Sequence, residues 1–321
     1  MAFDQSQWIW MDGRVVRWSN ATVHVSAHAL HYGSGVFEGI RCYETDDGPA
    51  VFRLPEHVDR LFASAAVYSM EISYSRTEIE EGICEVVERN GFASCYVRPI
   101  CFFGSEGLAV HPRNCPLHVA VLAWPWGAYL GVEQQVTGVR ITVSSWRKFG
   151  VGMLPSTAKG SGQYLNSLLA MREAVSKGYD EALLLNADGT IAEGAGENLF
   201  IVRDGRLLTN DEKSSILLGI TRASVLEMAR DLGIEVEIRE LVLEDLLSAD
   251  EAFFTGTATE IAPIREVDGS PIGSGRRGPL TEQLQNIFVA ITAGREPRYR
   301  RWLRVVSRDT ANRDLAGVLA P

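Results

Sequence analysis

The sequence predicts an α+β protein in two domains, and three observations carry the prediction. Runs rich in strand formers, such as "SCYVRPICFFG" and "LHVAVLAWPW", come in blocks, with helical patterns placed to pack on their faces. The chain has 321 residues, about twice the prior of ~150 residues per domain. Residues 126–138, "WGAYLGVEQQVTG", break the pattern with three glycines, as linkers do. The boundary falls there, giving domains of residues 1–125 and 139–321 joined by a loop at 126–138.

The elements follow in order. "WIWMDGRVVRW" places two apolar runs around Asp12-Gly13, a hairpin signal. "GPAVFRL" reads as a strand, and "PEHVDRLFASAAVYSM" as a helix with Val58, Leu61, Phe62 and Ala65 at helical spacing. "SRTEIEEGICEVVERNG" is a second helix, with Thr77 and Glu80 as its capping pair and Gly91 at its end. In the second half, "VRITVSSWRKF" is a strand. The helix after Lys159 sets Leu165, Leu168, Leu169 and Val175 on roughly one face, predicted to face the core, and closes at Lys177-Gly178. "EALLLNADGTIAEGAGENLFIVRDGRLLT" holds two or three strands with turns at Asp188-Gly189 and Asp204-Gly205. "GITRASVLEMARDLG" is a helix with Val225, Met228, Ala229 and Leu232 inward. "EVEIRE" is a strand, "LEDLLSAD" a short helix, and "EAFFTGTATEIAPI" a strand, turn and strand; "PLTEQLQNIFVAI" is the last clear helix. The run "REPRYRRWLR" reads as a cationic helix end or a solvated tail.

Composition excludes several classes. Hydrophobic residues make up 46% and charged residues 22%, as in ordinary globular proteins. A net charge of −10 argues against nucleic acid, which demands a basic footprint. Five cysteines without a C-x-x-C pair argue against a zinc ribbon or disulfide framework and point to a reducing compartment, the cytoplasm. No secretory signal or membrane-spanning run is apparent. His24, His28 and His31 have metal-compatible spacings but no accompanying fourth ligand, and "GSGVFEG" only faintly echoes a dinucleotide loop.

"AKGSGQY" carries more. Lys159 stands among Ala158, Gly160, Ser161 and Gly162, and an amine can condense with an aldehyde cofactor such as pyridoxal phosphate. Such a site needs a carboxylate at the pyridine nitrogen, a donor at the ring hydroxylate, a phosphate cradle, and room for a flat ring and an incoming amine. Glu193, beside Gly194, Ala195 and Gly196, offers the carboxylate; Tyr164 offers the donor. "GITR", residues 219–222, opens a helix whose free N–H groups suit a phosphate. "TGTATE", residues 255–260, is a second anion-binding turn. The small residues around Lys159 are expected to leave space for the ring.

"AKGSGQY", "EGAGENLF", "GITR" and "SADEAFFTGTATEIAPI", in this order, resemble the fold-type IV pyridoxal-phosphate enzymes. "VHVSAHALHYGSGVFEGIRCY", "YVRPI" and "WPWGAYLG" narrow the resemblance to the bacterial branched-chain amino-acid aminotransferases, from about Trp8 to about Leu303. D-amino-acid aminotransferases, (R)-amine transaminases and aminodeoxychorismate lyases share the scaffold, and a non-enzymatic protein keeping it is a further rival.

The resemblance implies pyridoxal 5′-phosphate as cofactor and small amino acids and 2-oxo acids as partners. It implies that Lys159 carries the cofactor and then moves the proton from the substrate Cα, which calls for an amine of lowered pKa. Glu193 would meet the pyridine nitrogen and Tyr164 the ring hydroxylate. Arg60, Gly219, Ile220, Thr221, Gly256 and Thr257 would hold the phosphate. Tyr96 and the backbone of Thr257 and Ala258 would take the substrate α-carboxylate. Phe37, Trp126 and Tyr129 would wall the side-chain pocket, with Gly39 keeping its floor open. Arg41 and Arg98 would accept the distal carboxylate of glutamate, and Tyr32 and Val110 would reach in from a neighbouring subunit of a homodimer or a dimer-based hexamer.

Overall fold

The computed structural model describes residues 6–127 and 132–306. The first part of the chain builds one sheet with helices against it: β1 (Trp8–Met11), β2 (Arg14–Arg17), α1 (His28–Tyr32), β3 (Gly35–Phe37), β4 (Ile40–Thr45), β5 (Gly48–Phe52), α2 (Leu54–Val67), α3 (Arg76–Asn90), β6 (Cys95–Phe103) and β7 (Leu117–Trp124). Asp12 at φ 48° and Gly13 at φ 86° make the tight turn of the predicted β1–β2 hairpin. The capping pair of α3 lies two residues earlier than expected. Ser75 Oγ accepts from Glu78 N–H at 3.2 Å and Glu78 Oε2 accepts from Ser75 N–H at 2.7 Å, while Gly91 at φ 69° closes the helix as predicted.

The second part of the chain carries α4 (Val132–Thr137), β8 (Val139–Arg147), α5 (Tyr164–Ser176), β9 (Glu181–Leu185), β10 (Ile191–Gly194), β11 (Asn198–Arg203), β12 (Arg206–Thr209), α6 (Ile220–Asp231), β13 (Val236–Ile238), α7 (Leu243–Leu247), β14 (Glu251–Gly256), β15 (Glu260–Val267), β16 (Ser270–Pro271), α8 (Pro279–Thr292) and β17 (Leu303–Val305), and all its strands but β17 build a larger sheet. Its strand order is β10-β9-β8-β15-β14-β11-β12-β13, with β8 parallel to both neighbours. The stretch read as two or three strands forms four, β9 to β12.

Two expectations are overturned. Leu165, Leu168, Leu169 and Val175 of α5 point outward, 38–65% exposed, and the helix buries Ala170 and Ala174 against Ala182 and Leu184 instead. The alanines let α5 lie close to the sheet, a fit that leucine would prevent. In α6, Val225, Met228 and Ala229 are buried as predicted, but Leu232 falls past the helix end and is half-exposed.

The arginine-rich run is not a solvated tail. Residues Pro297–Trp302 form a 3-10 helix with Tyr299 and Trp302 buried. Arg298, Arg300 and Arg301 pair with Asp231, Asp47 and Glu227. β17 then pairs with β5, so the chain returns to the first sheet. A shared core of Phe52, Phe200, Phe253, Phe288 and Trp302 joins the two halves.

Candidate active site

Lys159 lies between β8 and α5, yet the first half of the molecule holds it in place. Its N–H donates to Ser64 Oγ of α2 at 3.0 Å, and its carbonyl accepts from Phe37 N–H at 3.1 Å. The glycines among its neighbours serve this docking, while Ala158 and Ser161 border the open space beside the lysine. A Cβ on Gly33 would meet the Gly162 Cα at 2.7 Å, and one on Gly160 would meet the Tyr68 hydroxyl at 2.7 Å. Glycine is required because two backbones and a phenol meet there.

The Lys159 Nζ donates to the Tyr164 hydroxyl at 2.7 Å and lies 5.2 Å from the centroid of the Phe37 ring. Burial, the largest single influence, and Arg60 push the pKa of the amine down, but the Tyr164 oxygen, Glu38 and Tyr96 outweigh them and raise it.

Lys159 opens into a cleft bordered by all the residues expected to hold the cofactor: Arg60, Tyr164, Glu193, Gly219, Ile220, Thr221, Gly256 and Thr257. Glu193, near the end of β10, is buried. Its Oε1 accepts from Lys148 Nζ at 2.6 Å, and its Oε2 accepts from Asn198 Nδ2 and Leu217 N–H, each at 3.1 Å. Arg60, on α2, is fixed by Glu38: Nε and Nη2 donate to the two carboxylate oxygens at 2.7 and 2.9 Å. Its Nη1 donates to the Leu218 carbonyl at 2.9 Å, directly before Gly219, the N-cap of α6. Gly219 supplies no side-chain cap, so the helix end keeps donors for an anion.

These residues fit pyridoxal phosphate. The cleft combines one arginine and an uncapped helix start, suited to a phosphate, with a buried carboxylate and a lysine–tyrosine pair. The Thr255 hydroxyl borders the cleft, buried and without a hydrogen-bond partner among the described residues. Gly196 keeps open space where a Cβ would project.

A second recess shares Lys159, Tyr164 and Thr257 with the first and adds Phe37, Gly39, Tyr96, Arg98, Trp126 and Ala258. Tyr96 and Trp126 meet edge to face at 4.6 Å, and the Arg98 guanidinium lies 4.6 Å from the Phe37 ring centroid with its Nε buried and unpartnered. Arg41 does not border the recess; its Nη2 donates to the Trp126 carbonyl at 3.3 Å. Gly39 does more than open a floor, since a Cβ there would meet the Tyr96 hydroxyl at 1.9 Å. Tyr129 lies outside the described residues. Tyr32 and Val110 are 45% and 80% exposed and border neither recess of their own chain.

Three residues escaped sequence reasoning. Lys148 sits at the end of β8 in "WRKF", and no local pattern ties it to Glu193, 45 residues on. Glu38 follows Phe37 at the opposite strand parity, behind the site, where it accepts from His57 Nδ1 at 2.8 Å as well as from Arg60. Glu197 borders both recesses; its oxygens accept from Thr259 Oγ1 and Gly196 N–H, each at 2.9 Å. Burial pushes its carboxyl pKa up. The glycine-flanked "EGAGENLF" already marked this segment and could have included it.

The chain belongs to the class IV aminotransferases: residues 35–267 match the family described as amino-transferase class IV. It is 46% identical over 303 residues to a branched-chain-amino-acid aminotransferase of Pseudomonas aeruginosa, covering 94% of this chain and 98% of that one. The crystal structure of the Escherichia coli branched-chain amino acid aminotransferase superposes with a TM-score of 0.92 at 46% identity, covering 94% and 100% of the two chains. A branched-chain amino acid aminotransferase from T.th., crystallised with pyridoxamine 5′-phosphate, gives 0.91 at 49% identity over 94% and 99%. That T.th. enzyme has also been solved with N-(5′-phosphopyridoxyl)-L-glutamate and with 4-methylvaleric acid.

Proposed function

We propose that this protein is a pyridoxal-phosphate-dependent aminotransferase that moves the amino group reversibly between L-leucine, L-isoleucine or L-valine and 2-oxoglutarate. The observation that carries this reading is the junction at Lys159. A cleft suited to an anionic aromatic cofactor opens there into an aromatic recess with one unpartnered arginine nitrogen. Pyridoxal phosphate, when bound, supplies an aldehyde that condenses with amines and a ring that draws electrons from the substrate Cα.

The chain's own residues do the rest. Arg60 and the start of α6 hold the phosphate, and Glu193 keeps a proton at the ring nitrogen. Tyr164 orients Lys159 Nζ, which takes the Cα proton and returns it on the other side of the reacting system. Tyr96 and the N–H groups of the turn at Thr257–Ala258 hold the α-carboxylate. Phe37 and Trp126 cover an aliphatic side chain. A wholly apolar recess would strand the second carboxylate of glutamate without a partner, at high cost; Arg98 answers it. One pocket thus serves both substrates in turn, which gives ping-pong kinetics.

We further propose a homo-oligomer in the cytoplasm. Tyr32 and Val110, with exposed Val25, Leu30 and Leu108 nearby in sequence, form an apolar surface that a second subunit would cover. Five free cysteines suit a reducing compartment.

The test is spectral and catalytic. Purified protein should absorb in the visible, bleach on borohydride, and lose that absorption in Lys159→Ala. Amino transfer to 2-oxoglutarate should proceed from the three branched-chain L-amino acids. Activity confined to D-alanine or aminodeoxychorismate, or a protein that takes up no pyridoxal phosphate, would overturn the reading.

A further inference from the structure

The proposed carboxylate site is divided between two sheets. Thr257 and Ala258 lie in the turn between β14 and β15 of the larger sheet, whereas Tyr96 comes from β6 of the smaller one. Their spacing therefore depends on a contact that crosses from one sheet to the other. Tyr43 makes such a contact. It lies on β4 two residues beyond Arg41, on the same face, and Arg41 is directly across from Tyr96 in the β4–β6 register. The Tyr43 hydroxyl donates to Glu260 Oε1 at 3.0 Å.

Glu260 is where the turn re-enters β15, opposite Gly256. Its φ of 59° is a left-handed conformation that a residue with a side chain adopts only when its surroundings impose it. One residue earlier, Thr259 Oγ1 donates to Glu197 Oε1 at 2.9 Å. One hydrogen bond thus fastens the turn within its own sheet, and the Tyr43 bond fastens it to the sheet that carries Tyr96. The Tyr43 ring is itself fixed, edge to face against Phe52 at 6.1 Å. Burial, followed by the charge of Glu260, keeps its phenol protonated far above neutral pH, so it remains a donor.

We propose that Tyr43 is a positioning residue for substrate recognition: its hydrogen bond to Glu260 holds the backbone donors of Thr257 and Ala258 in register with the Tyr96 hydroxyl, and so sets the affinity for the substrate α-carboxylate. The proposal rests on the reading of that turn as the carboxylate site. Tyr43 borders neither the cofactor cleft nor the outer recess; it acts through the turn.

The test uses Tyr43→Phe holoenzyme, which keeps the ring and deletes the hydroxyl. Two probes are titrated against tryptophan fluorescence: 4-methylvalerate, a branched-chain carboxylate, and 4-methylpentanamide, its uncharged isostere. The variant should bind the acid about three- to tenfold more weakly, as expected for a loosened hydrogen bond to a charged group, and the amide as wild type does. KM for L-leucine should rise by the same factor with kcat changed less than about twofold. Cofactor affinity should be unchanged. Glu260→Gln, which keeps an acceptor oxygen, should behave as wild type, and Glu260→Gly, which removes the acceptor and relieves the positive φ, should reproduce the selective loss even if Tyr43→Phe folds poorly. Unchanged affinity for the acid, or equal weakening for acid and amide, would overturn the proposal. Wild-type protein that does not distinguish acid from amide would instead overturn the carboxylate reading beneath it.

Discussion

Replacing Gly39 with alanine puts a methyl carbon 1.9 Å from the Tyr96 hydroxyl and 2.9 Å from the ring carbon that bears it. Ordinary contact begins near 3.4 Å, so the hydroxyl must retreat by about 1.5 Å. The clash is with the far end of a side chain, not with backbone, so the fold survives and the tyrosine swings. A hydrogen bond of ordinary length stretched by about 1.5 Å is lost. If Tyr96 holds the substrate carboxylate, the loss is that of a hydrogen bond to a charged group, about 1.5–3 kcal/mol. That predicts a fall in kcat/KM for L-leucine of roughly 10- to 150-fold. Cofactor binding should be untouched, because Gly39 and Tyr96 border the outer recess and not the cofactor cleft. Steady-state kinetics, with visible absorption as the measure of bound cofactor, decide the matter. Unaltered kcat/KM would refute the role given to Tyr96, and loss of cofactor would refute the division between cleft and recess.

Two further predictions concern groups that brace the site. Lys148→Met removes the cation from a pair whose side chains are 9% and 8% exposed; it should cost about 3–5 kcal/mol of unfolding free energy in urea titrations, and Lys148→Met with Glu193→Gln should recover most of that loss. Glu38 is pushed up by burial, its largest single influence, but Arg60 and His57 together outweigh this and hold its carboxyl far below the usual range. A depressed carboxyl stabilises the fold above the unfolded-state pKa of about 4.3 and loses that contribution as pH falls. Glu38→Gln should therefore melt lower than wild type at pH 7, and the gap should narrow below about pH 4. A gap constant with pH would contradict the assignment of charge to Glu38.

Much of the fold was legible because its signals are local. Asp12-Gly13 dictates a hairpin through backbone conformations that few other pairs tolerate, and Val58, Leu61 and Ala65 mark a buried helical face by spacing alone. The set of residues that border the cleft at Lys159 was legible for a similar reason: Lys159, Tyr164, Glu193 and the turns at 219–221 and 256–257 sit in short motifs with characteristic neighbours. The Ser75–Glu78 box was misplaced by two residues because Thr77 and Glu80 offer the same spacing, and only the backbone path distinguishes them.

By itself, then, the sequence determined which residues share a face and which short segments carry chemistry, since both follow from periodicity and nearest neighbours. Tertiary structure alone decided which faces are covered and which distant charges meet. The leucines of α5 share a face as predicted, but alanines on another face fit the sheet more closely, and the leucines are left outside. Lys148 with Glu193, Glu38 with Arg60, and Tyr43 with Glu260 are separated by 45, 22 and 217 residues. Such pairs leave no trace in local pattern, because the contact exists only once the chain has packed and excluded the water that would otherwise solvate each polar group.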